Sequence, residues 1–379
     1  MPSPDRLVYL DANATEPLRP EARAALLATL DHPGNPASVH RAGRAARRLL
    51  EESRARIAAR FGARPSDVVF TSGATEANAL AIAGLGTGRP ILIGATEHDA
   101  VRASAPEAEI LPVDAAGCLR LEALEQALVS RPGALVAAMA ANNETGVLHP
   151  LAEIGRICAA HGALLHVDAA QSAGRIALDY LGLGAASIAV SSHKLGGPAG
   201  AGALLLTSAH AERLNPLIKG GGQERGRRGG TPDLPAITGF AAAISALGDI
   251  EASAARLGAL RDRIEAEAMA AGAIVIGADA TRLPNTTCLA LPGLAAETQV
   301  IALDLDGICV SAGAACSSGK VTRSHVLTAM GLEELAGQAI RVSLPWNADW
   351  SGIKHFLGSY RRLAARALRN PAVFSTAAA

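Results

Sequence analysis

The chain has 379 residues, of which 49% are hydrophobic, and its 35 lysines and arginines balance its 35 aspartates and glutamates. This length exceeds one typical hydrophobic core and predicts two domains of unequal size. The balanced charge creates no net field that would attract nucleic acid or an anionic membrane, so we expect a small-molecule partner. No apolar run reaches 18 residues, and residues 1–10 lack the basic and apolar regions of a signal peptide, which together predict a cytoplasmic protein.

The cysteines are few and irregularly spaced. Their number is odd and no pair has CxxC spacing, which indicates neither a disulfide framework nor a zinc site. We therefore expect reduced thiols and no bound metal. The five cysteines are Cys118, Cys158, Cys288, Cys309 and Cys316.

Short apolar runs alternate with helical patterns through residue 206. One intervening helix is evident because Ala46, Leu50 and Ile57 recur at helical spacing, while arginines and glutamates occupy the opposite face. Such alternation is typical of a mostly parallel, buried sheet, so we predict an α/β fold. The seven apolar runs lie at 68–70, 91–93, 110–113, 135–139, 163–167, 187–190 and 203–206.

The alternation of short apolar runs with helical patterns ends shortly after residue 231. A long alanine-rich helical stretch over about 241–271 marks the predicted domain boundary, and a small α+β domain follows it. We predict a large domain over 14–250 and a small domain formed by 1–13 and 251–379. The small domain is expected to contain short strands near 274–276, 287–291, 310 and 340–343 and a final helix with Ile353, Phe356, Leu357 and Tyr360.

The most informative segment is SSHK at 191–194, which places Lys194 at the end of a predicted buried strand. An ammonium there loses its hydration, so the lysine must be paired, deprotonated or covalently linked, and a Schiff base explains it best. Asp168 ends the preceding apolar run in the same way, with a capping role as the alternative for its carboxylate. A lysine that holds an aldehyde and an aspartate that faces a pyridinium nitrogen together indicate pyridoxal phosphate chemistry.

A second segment, TSGATE at 71–76, follows a predicted strand and opens a helix. Free backbone N–H groups and the positive end of the helix macrodipole at Gly73, Ala74 and Thr75 favour a phosphate. An ordinary helix cap is the alternative, because Ser, Thr and Gly are common at helix starts. Together with Lys194 and Asp168, the segment predicts a phosphate site.

Six segments occur in the order found in one enzyme family: YLDANAT at 9–15, GNPAS at 34–38, FTSGATE at 70–76, NNETG at 142–146, HVDAAQ at 166–171 and GGGQERG at 220–226. With them the chain resembles, nearly end to end, the cysteine desulfurases of the class V aminotransferase superfamily, in their long-loop NifS- and IscS-like branch. The resemblance implies the fold type I architecture of pyridoxal phosphate enzymes, with a mostly parallel seven-stranded sheet in the large domain and a smaller α+β domain.

The resemblance also implies a role for each matching residue. Lys194 carries pyridoxal 5'-phosphate, Asp168 holds the pyridine nitrogen, Gln171 meets the ring hydroxyl, and His98, which by itself fits either a core or a catalytic histidine, lies against the ring face. The phosphate is held by Gly73, Ala74, Thr75, Ser191 and His193, and by Thr231 of the partner subunit of a homodimer. Asn143 contacts the cofactor and, with Arg341 and Asn13, receives the substrate carboxylate.

Cys316 lies in the polar segment SAGAACSSG at 311–319 rather than in a core run. A free thiol is only about 3% thiolate at pH 7, so a nucleophilic cysteine needs activation, which His98 or the cofactor site can supply. The resemblance implies that the enzyme converts L-cysteine to L-alanine and transfers the sulfur to Cys316 as a persulfide. A sulfur-acceptor protein would then take it for iron–sulfur cluster assembly or other sulfur-containing products. We assign the other four cysteines no chemistry.

The chain departs from the family pattern in three places close to the expected site. Lys194 is followed by LGGPA at 195–199, where relatives usually carry an aromatic residue and a second lysine, so dimer or partner contacts are expected to differ. Glu16 stands where relatives carry threonine, and Leu344, Pro345 and Trp346 replace a Leu-Gly-Arg-Phe pattern beyond Arg341. Other functions are therefore considered as well. They are a class V aminotransferase or lyase acting on another amino acid, a selenocysteine lyase, and a noncatalytic scaffold that serves sulfur-relay partners.

Overall fold

The computed structural model describes residues 7–177, 179, 182–211, 214–313 and 323–369. The helices in these ranges are α1 (Pro20–Leu30), α2 (Arg41–Arg60), α3 (Ala74–Leu85), α4 (Asp99–Arg102), α5 (Leu121–Ser130), α6 (Leu151–Ala160), α7 (Ser208–Ala211), α8 (Leu234–Ser245), α9 (Ile250–Ala270), α10 (Ala296–Asp304), α11 (His325–Ala329) and α12 (Trp350–Arg369). The strands are β1 (Val8–Tyr9), β2 (Val68–Thr71), β3 (Ile91–Gly94), β4 (Glu109–Leu111), β5 (Leu135–Met139), β6 (Leu164–Asp168), β7 (Ser187–Ser191), β8 (Gly202–Leu206), β9 (Ile274–Ile276), β10 (Thr286–Ala290), β11 (Ile308–Cys309), β12 (Ser311–Ala312) and β13 (Ala339–Ser343).

The largest sheet has the strand order β2-β8-β7-β6-β5-β3-β4. Its members are the seven apolar runs recognised in the sequence, and β8 is antiparallel to both of its neighbours while the other pairs are parallel. The predicted α/β fold with a mostly parallel sheet is therefore confirmed. Because β2, β5, β6 and β7 point the same way, the residues that follow them meet at one edge of the sheet.

Helices cover both faces of this sheet. Val68 and Phe70 pack in one apolar cluster with Leu50 and Ile57 of α2, whereas Val69 packs in another with Leu80 of α3. This alternation of neighbouring strand residues between two clusters is the period-two pattern of a strand buried on both sides. The sheet thus holds α3 and its first turn firmly against the strand ends.

A second structural unit surrounds an antiparallel sheet of order β12-β13-β10-β9. Its core joins the N-terminal Val8 and Leu10 to Phe356 and Tyr360 of α12, and β1 pairs in parallel with β11. The N-terminal strand therefore packs with the C-terminal third of the chain. The domain bounds at 13/14 and 250/251 stay a prediction.

The helical stretch predicted over 241–271 is not a single helix. The structure divides it into α8 and α9, bent by 82° at a short break. Gly248 adopts a positive φ of 65° there, and the Asp249 side chain accepts a hydrogen bond from the Ala252 N–H to begin α9. The sequence signal was present, since glycine followed by aspartate is typical of a helix end and a new cap. Among the described residues no single helix is long and apolar enough to cross a membrane. Only α8 and α9 taken together, despite the bend between them, reach that length and apolar composition.

Candidate active site

A cavity of about 370 Å³ lies at the edge of the seven-stranded sheet where the parallel strands end. Ten of the residues predicted from the sequence line it. They are Gly73, Ala74, Thr75, His98, Asn143, Asp168, Gln171, Ser191, His193 and Lys194. The fold therefore gathers segments separated by more than 100 residues around one space large enough for a small cofactor.

Lys194 follows β7 in a short 3-10 turn, and its side chain lines this cavity. Its Nζ donates to the backbone oxygens of Asn13 and Ala14, the second at 3.0 Å. Burial, and then the positive charges of Arg341 and Arg175, lowers the pKa of the Lys194 ammonium from 10.5 to about 7. The amine is therefore largely neutral just above pH 7, which is the form that attacks an aldehyde.

This pKa predicts an unusual pH dependence for the capture of an aldehyde by the protein freed of cofactor. The rate constant for capture of pyridoxal phosphate should rise up to about pH 7 and then level off, because Lys194 is already neutral above its pKa. A lysine peptide measured in parallel corrects for ionisation of the aldehyde itself and continues to rise toward pH 10. A protein profile that runs parallel to that of the peptide would contradict the lowered pKa.

Asp168 ends β6 with both carboxylate oxygens held in place. One accepts a hydrogen bond from the Asn78 Nδ2 at 2.7 Å and the other accepts from the Ala170 N–H at 2.9 Å. Burial lowers the pKa of His166 to about 4, so this histidine is neutral at pH 7. Because Asn78 donates to Asp168, its Oδ1 accepts from the His166 Nε2 at 2.9 Å. The carboxylate is thus oriented from behind and keeps lone pairs for a group in the cavity.

The opposite end of the cavity presents hydrogen-bond donors that can bind an anion. Helix α3 begins at Ala74, so the backbone N–H groups of Ala74 and Thr75 point out of its first turn. Ser191 lies beside them at the end of β7. Gly202 makes this approach possible, because a Cβ at that position would lie 2.6 Å from the Gly73 Cα.

Two histidines face the cavity, each with a defined hydrogen bond at Nδ1. The Nδ1 of His98 accepts from the Ala100 N–H at 3.0 Å, which leaves the ring proton on Nε2. Burial, and then the Lys194 charge, lowers the pKa of His193 to about 4. Its Nδ1 lies 2.6 Å from the Thr15 hydroxyl. A neutral ring can donate one hydrogen bond to a phosphate without adding a positive charge beside Lys194.

Comparison with known proteins identifies the family. The sequence profile described as Aminotransferase class-V matches residues 8–356. The cysteine desulfurase of Cereibacter sphaeroides is 42% identical over 355 residues, which cover 89% of this chain and 90% of that protein. The chain belongs to the cysteine desulfurases of the class V aminotransferase family.

Solved structures of relatives have the same fold. The NifS-like protein from Rickettsia africae superposes with a TM-score of 0.89 at 34% identity and covers 95% of this chain and 100% of that chain. A structure described as SspA in complex with cysteine has a TM-score of 0.77 at 32% identity and covers 89% of this chain and 98% of that chain. These likenesses confirm the fold type I architecture expected for this desulfurase family.

Pyridoxal 5'-phosphate is the cofactor of this family, and the cavity of this desulfurase fits it. The backbone N–H groups at the start of α3 suit its phosphate, and the Asp168 carboxylate suits its ring nitrogen. The Lys194 amine, with its lowered pKa, suits its aldehyde. Gln171 lines the same cavity with its amide. The assignment of each residue to its part of the cofactor remains a prediction.

The predicted substrate residues lie around and behind the cavity. Asn143 lines it, whereas Arg341 and Asn13 are absent from its lining. Arg341, on β13, donates to the Asp11 Oδ1 at 2.6 Å and to the Asn143 backbone oxygen at 3.2 Å. Asn13 is buried, and its side chain contacts Arg175 and other protein groups. A role in binding the substrate carboxylate stays a prediction for all three.

Two further predicted residues lie away from the cavity or outside the described ranges. Thr231 is exposed just before α8 and does not line the cavity of its own subunit. Its predicted contact with a phosphate therefore depends on a second subunit. Cys316 lies outside the described residues, so its role stays a prediction from the sequence.

Several residues that support the site were not predicted from the sequence. Asn78, which orients Asp168, could have been recognised as a polar residue inside the apolar start of α3. His166 supports Asn78 from the middle of β6, where a buried histidine in an apolar strand is also a visible signal. Arg175 carried no such signal, because its contacts join segments far apart in the chain.

Proposed function

We propose that this protein is a pyridoxal phosphate-dependent cysteine desulfurase that converts L-cysteine to L-alanine and transfers the sulfur to Cys316 as a persulfide. The observation that supports this most directly is the meeting of Lys194, Asp168, Gln171 and His98 in one cavity of a chain from this family. The alternatives that the residues left open, an aminotransferase, a lyase for another amino acid and a scaffold, are not favoured by the relatives.

Each cofactor contact follows from the chemistry of the residue. When bound, the cofactor supplies an electron sink for negative charge at the substrate Cα. The Asp168 carboxylate favours a proton on the ring nitrogen, and Lys194 holds the aldehyde. Gln171 would donate to the ring oxygen, and His98 would lie against the ring face. The phosphate ligands are Gly73, Ala74, Thr75, Ser191, His193 and Thr231 of the partner subunit.

Lys194 changes its role when substrate arrives. The Lys194 amine would take the proton from the substrate Cα, since its pKa, lowered to about 7, leaves much of this amine unprotonated at neutral pH. Asn143, Arg341 and Asn13 bind the substrate carboxylate. The Nδ1 of His98 accepts from the Ala100 N–H, so the His98 Nε2–H would donate to a thiolate in the cavity and stabilise it.

The sulfur moves without an outside oxidant. The Cys316 thiolate attacks the substrate sulfur, so an S–S bond forms while the Cβ–S bond breaks and leaves its electron pair on the carbon side. That carbon gains a proton and becomes the methyl group of alanine. Sulfur is oxidised to the persulfide level and carbon is reduced, so the electrons balance within the pair of reactants.

The remaining cysteines are poor candidates for this role. Burial raises the pKa of the Cys118, Cys158, Cys288 and Cys309 thiols. The pKa of Cys158 reaches about 12. Such thiols are protonated at neutral pH and therefore weak nucleophiles. This comparison supports Cys316 as the sulfur carrier.

The protein acts as a homodimer and delivers its sulfur to a second protein. Thr231 is exposed in the single subunit, which is consistent with contact across a subunit interface. The persulfide is passed to a sulfur-acceptor protein for iron–sulfur cluster assembly or another sulfur-containing product.

A single experiment tests the proposed function. The purified full-length protein should be yellow, and one equivalent of L-cysteine per active site should give one equivalent of alanine and one protein persulfide under anaerobic conditions without reductant. A keto acid product would instead indicate an aminotransferase. Strong preference for selenocysteine in competition would indicate a selenocysteine lyase, and a colourless, inactive protein would indicate a scaffold.

A further inference from the structure

A buried ion pair lies behind Lys194, on the side away from the cofactor cavity. Arg175 and Glu16 have side chains that are only 6% and 7% exposed, and the Arg175 Nη2 lies 3.5 Å from the Glu16 Oε1. Both residues line a smaller cavity of about 110 Å³ that is also lined by Lys194. Lys194 therefore separates the cofactor cavity from this pair.

The Arg175 guanidinium contacts Asn13, whose backbone oxygen accepts from Lys194, and also contacts Gln171 and Ala12. Its Nη1 donates to the Asn13 Oδ1 at 2.6 Å and to the Gln171 Oε1 at 2.7 Å. Its Nη2 donates to the Ala12 backbone oxygen at 3.1 Å. The Asn13 backbone oxygen in turn accepts from Lys194 and, at 3.0 Å, from the Gln171 Nε2.

These contacts define the orientation of one amide. Gln171 has one acceptor end and one donor end, and Arg175 has no acceptor, so the Gln171 Oε1 must face Arg175. The Gln171 NH2 then has one hydrogen on the Asn13 oxygen and a second available to the cofactor cavity that Gln171 lines.

We propose that Arg175 is a positioning residue for the cofactor site, with Glu16 as its counter-charge. Arg175 acts through Gln171, whose NH2 it turns toward the cofactor ring oxygen, and through the backbone at Ala12 and Asn13, which it holds against Lys194. Glu16 balances the buried cation and accepts from the Trp346 N–H at 3.2 Å. Glu16 and Trp346 are both positions at which the chain departs from the family pattern.

The electrostatic consequence has a definite sign. The charged groups that act on the Lys194 nitrogen are Arg341, Arg175, Asp11 and Asp168, and the two arginines disfavour a proton there. A hydrogen bond from Gln171 to the cofactor ring oxygen would also disfavour a proton on the Lys194 nitrogen that is bonded to the cofactor. Removing Arg175 should therefore move the pH midpoint of the visible cofactor spectrum upward.

The test uses the full-length protein loaded with pyridoxal phosphate, without substrate. In Arg175→Met/Glu16→Gln, which leaves no unpaired buried charge, we expect the pH midpoint to rise by at least about half a unit and the cofactor dissociation constant to rise about tenfold. In Arg175→Lys, which keeps the charge but loses the forked contact with Asn13 and Gln171, we expect intermediate changes.

The matched control is Arg282→Met/Glu265→Gln. This second ion pair has contacts of 2.6 and 2.9 Å and side chains that are 7% and 10% exposed, but neither residue lines the cofactor cavity. It should lower the melting temperature without changing the spectrum. If the Arg175 variants behave like this control, or if Arg175→Lys matches the unsubstituted protein in midpoint and affinity, Arg175 has only a structural role.

The inference depends on a cofactor linked to Lys194 and not on the identity of the substrate. Its failure can therefore be distinguished from failure of the proposed function. If the unsubstituted protein binds the cofactor but makes no alanine, the desulfurase proposal fails and the role of Arg175 can still be tested. If the spectra of the Arg175 variants are unchanged, the role of Arg175 fails and the desulfurase proposal is unaffected.

Discussion

Lys194→Ala should abolish turnover of L-cysteine, with a loss of at least about 1,000-fold, because the substitution removes both the covalent attachment of the cofactor and the group that moves the Cα proton. The fold should persist, because the Lys194 ammonium is costly to bury and the Asn13 oxygen that it contacts still accepts from Gln171, so that only the Ala14 oxygen loses this donor. Alanine formation and the melting temperature are measured on the same preparation.

Mass spectrometry after hydride trapping locates the attachment directly. The chain has only four lysines, at positions 194, 219, 320 and 354. The adduct should be found on Lys194 in the unsubstituted protein and in Lys354→Ala, whose side chain lies away from the cavity, over the Trp350 ring. A stable adduct on another lysine, or full activity in Lys194→Ala, would falsify the assignment on which the proposed mechanism depends.

Cys316→Ser should stop the sulfur transfer while the cofactor site remains complete. A serine hydroxyl is far less acidic than a thiol and cannot form a persulfide, so we expect sulfide and alanine production to fall by at least about 100-fold. The yellow colour and its initial change on addition of L-cysteine should be retained. Absorption spectra and alanine yield in the same sample separate these two results.

The control substitutions for this prediction are Cys309→Ser and Cys118→Ser. Both thiols are partly exposed in the described structure and have pKa values raised by burial. Neither substitution should change the alanine yield by more than about twofold. Retention of normal alanine and sulfide production in Cys316→Ser would mean that another group accepts the sulfur.

Much of the fold could be predicted from the sequence because its signals are local. Each strand of the seven-stranded sheet contains a short apolar run, and α2 shows a clear helical period. The break between α8 and α9 was missed because alanine-rich sequence continues the helical pattern through Gly248 and Asp249. There, a cap and a positive φ outweigh propensity.

The residues that face the cofactor cavity could likewise be predicted from local sequence signals. Lys194 and Asp168 each follow an apolar strand, where a charged group needs a special reason, and Thr75 follows a strand and a glycine at a helix start. The resemblance to the family added His98 and Gln171. The supporting contacts of Arg175 could not be found this way, since they join positions 12, 13, 16 and 171 in space.

The sequence alone determined the alternation of strands and helices, the family and the residue types that pyridoxal phosphate requires, because each is encoded within a few neighbouring positions. Only the tertiary structure decided which of those residues share a cavity, how deeply Lys194 is buried and which way the Gln171 amide points. Desolvation and hydrogen-bond direction depend on groups brought together by packing, and a one-dimensional pattern does not specify those neighbours.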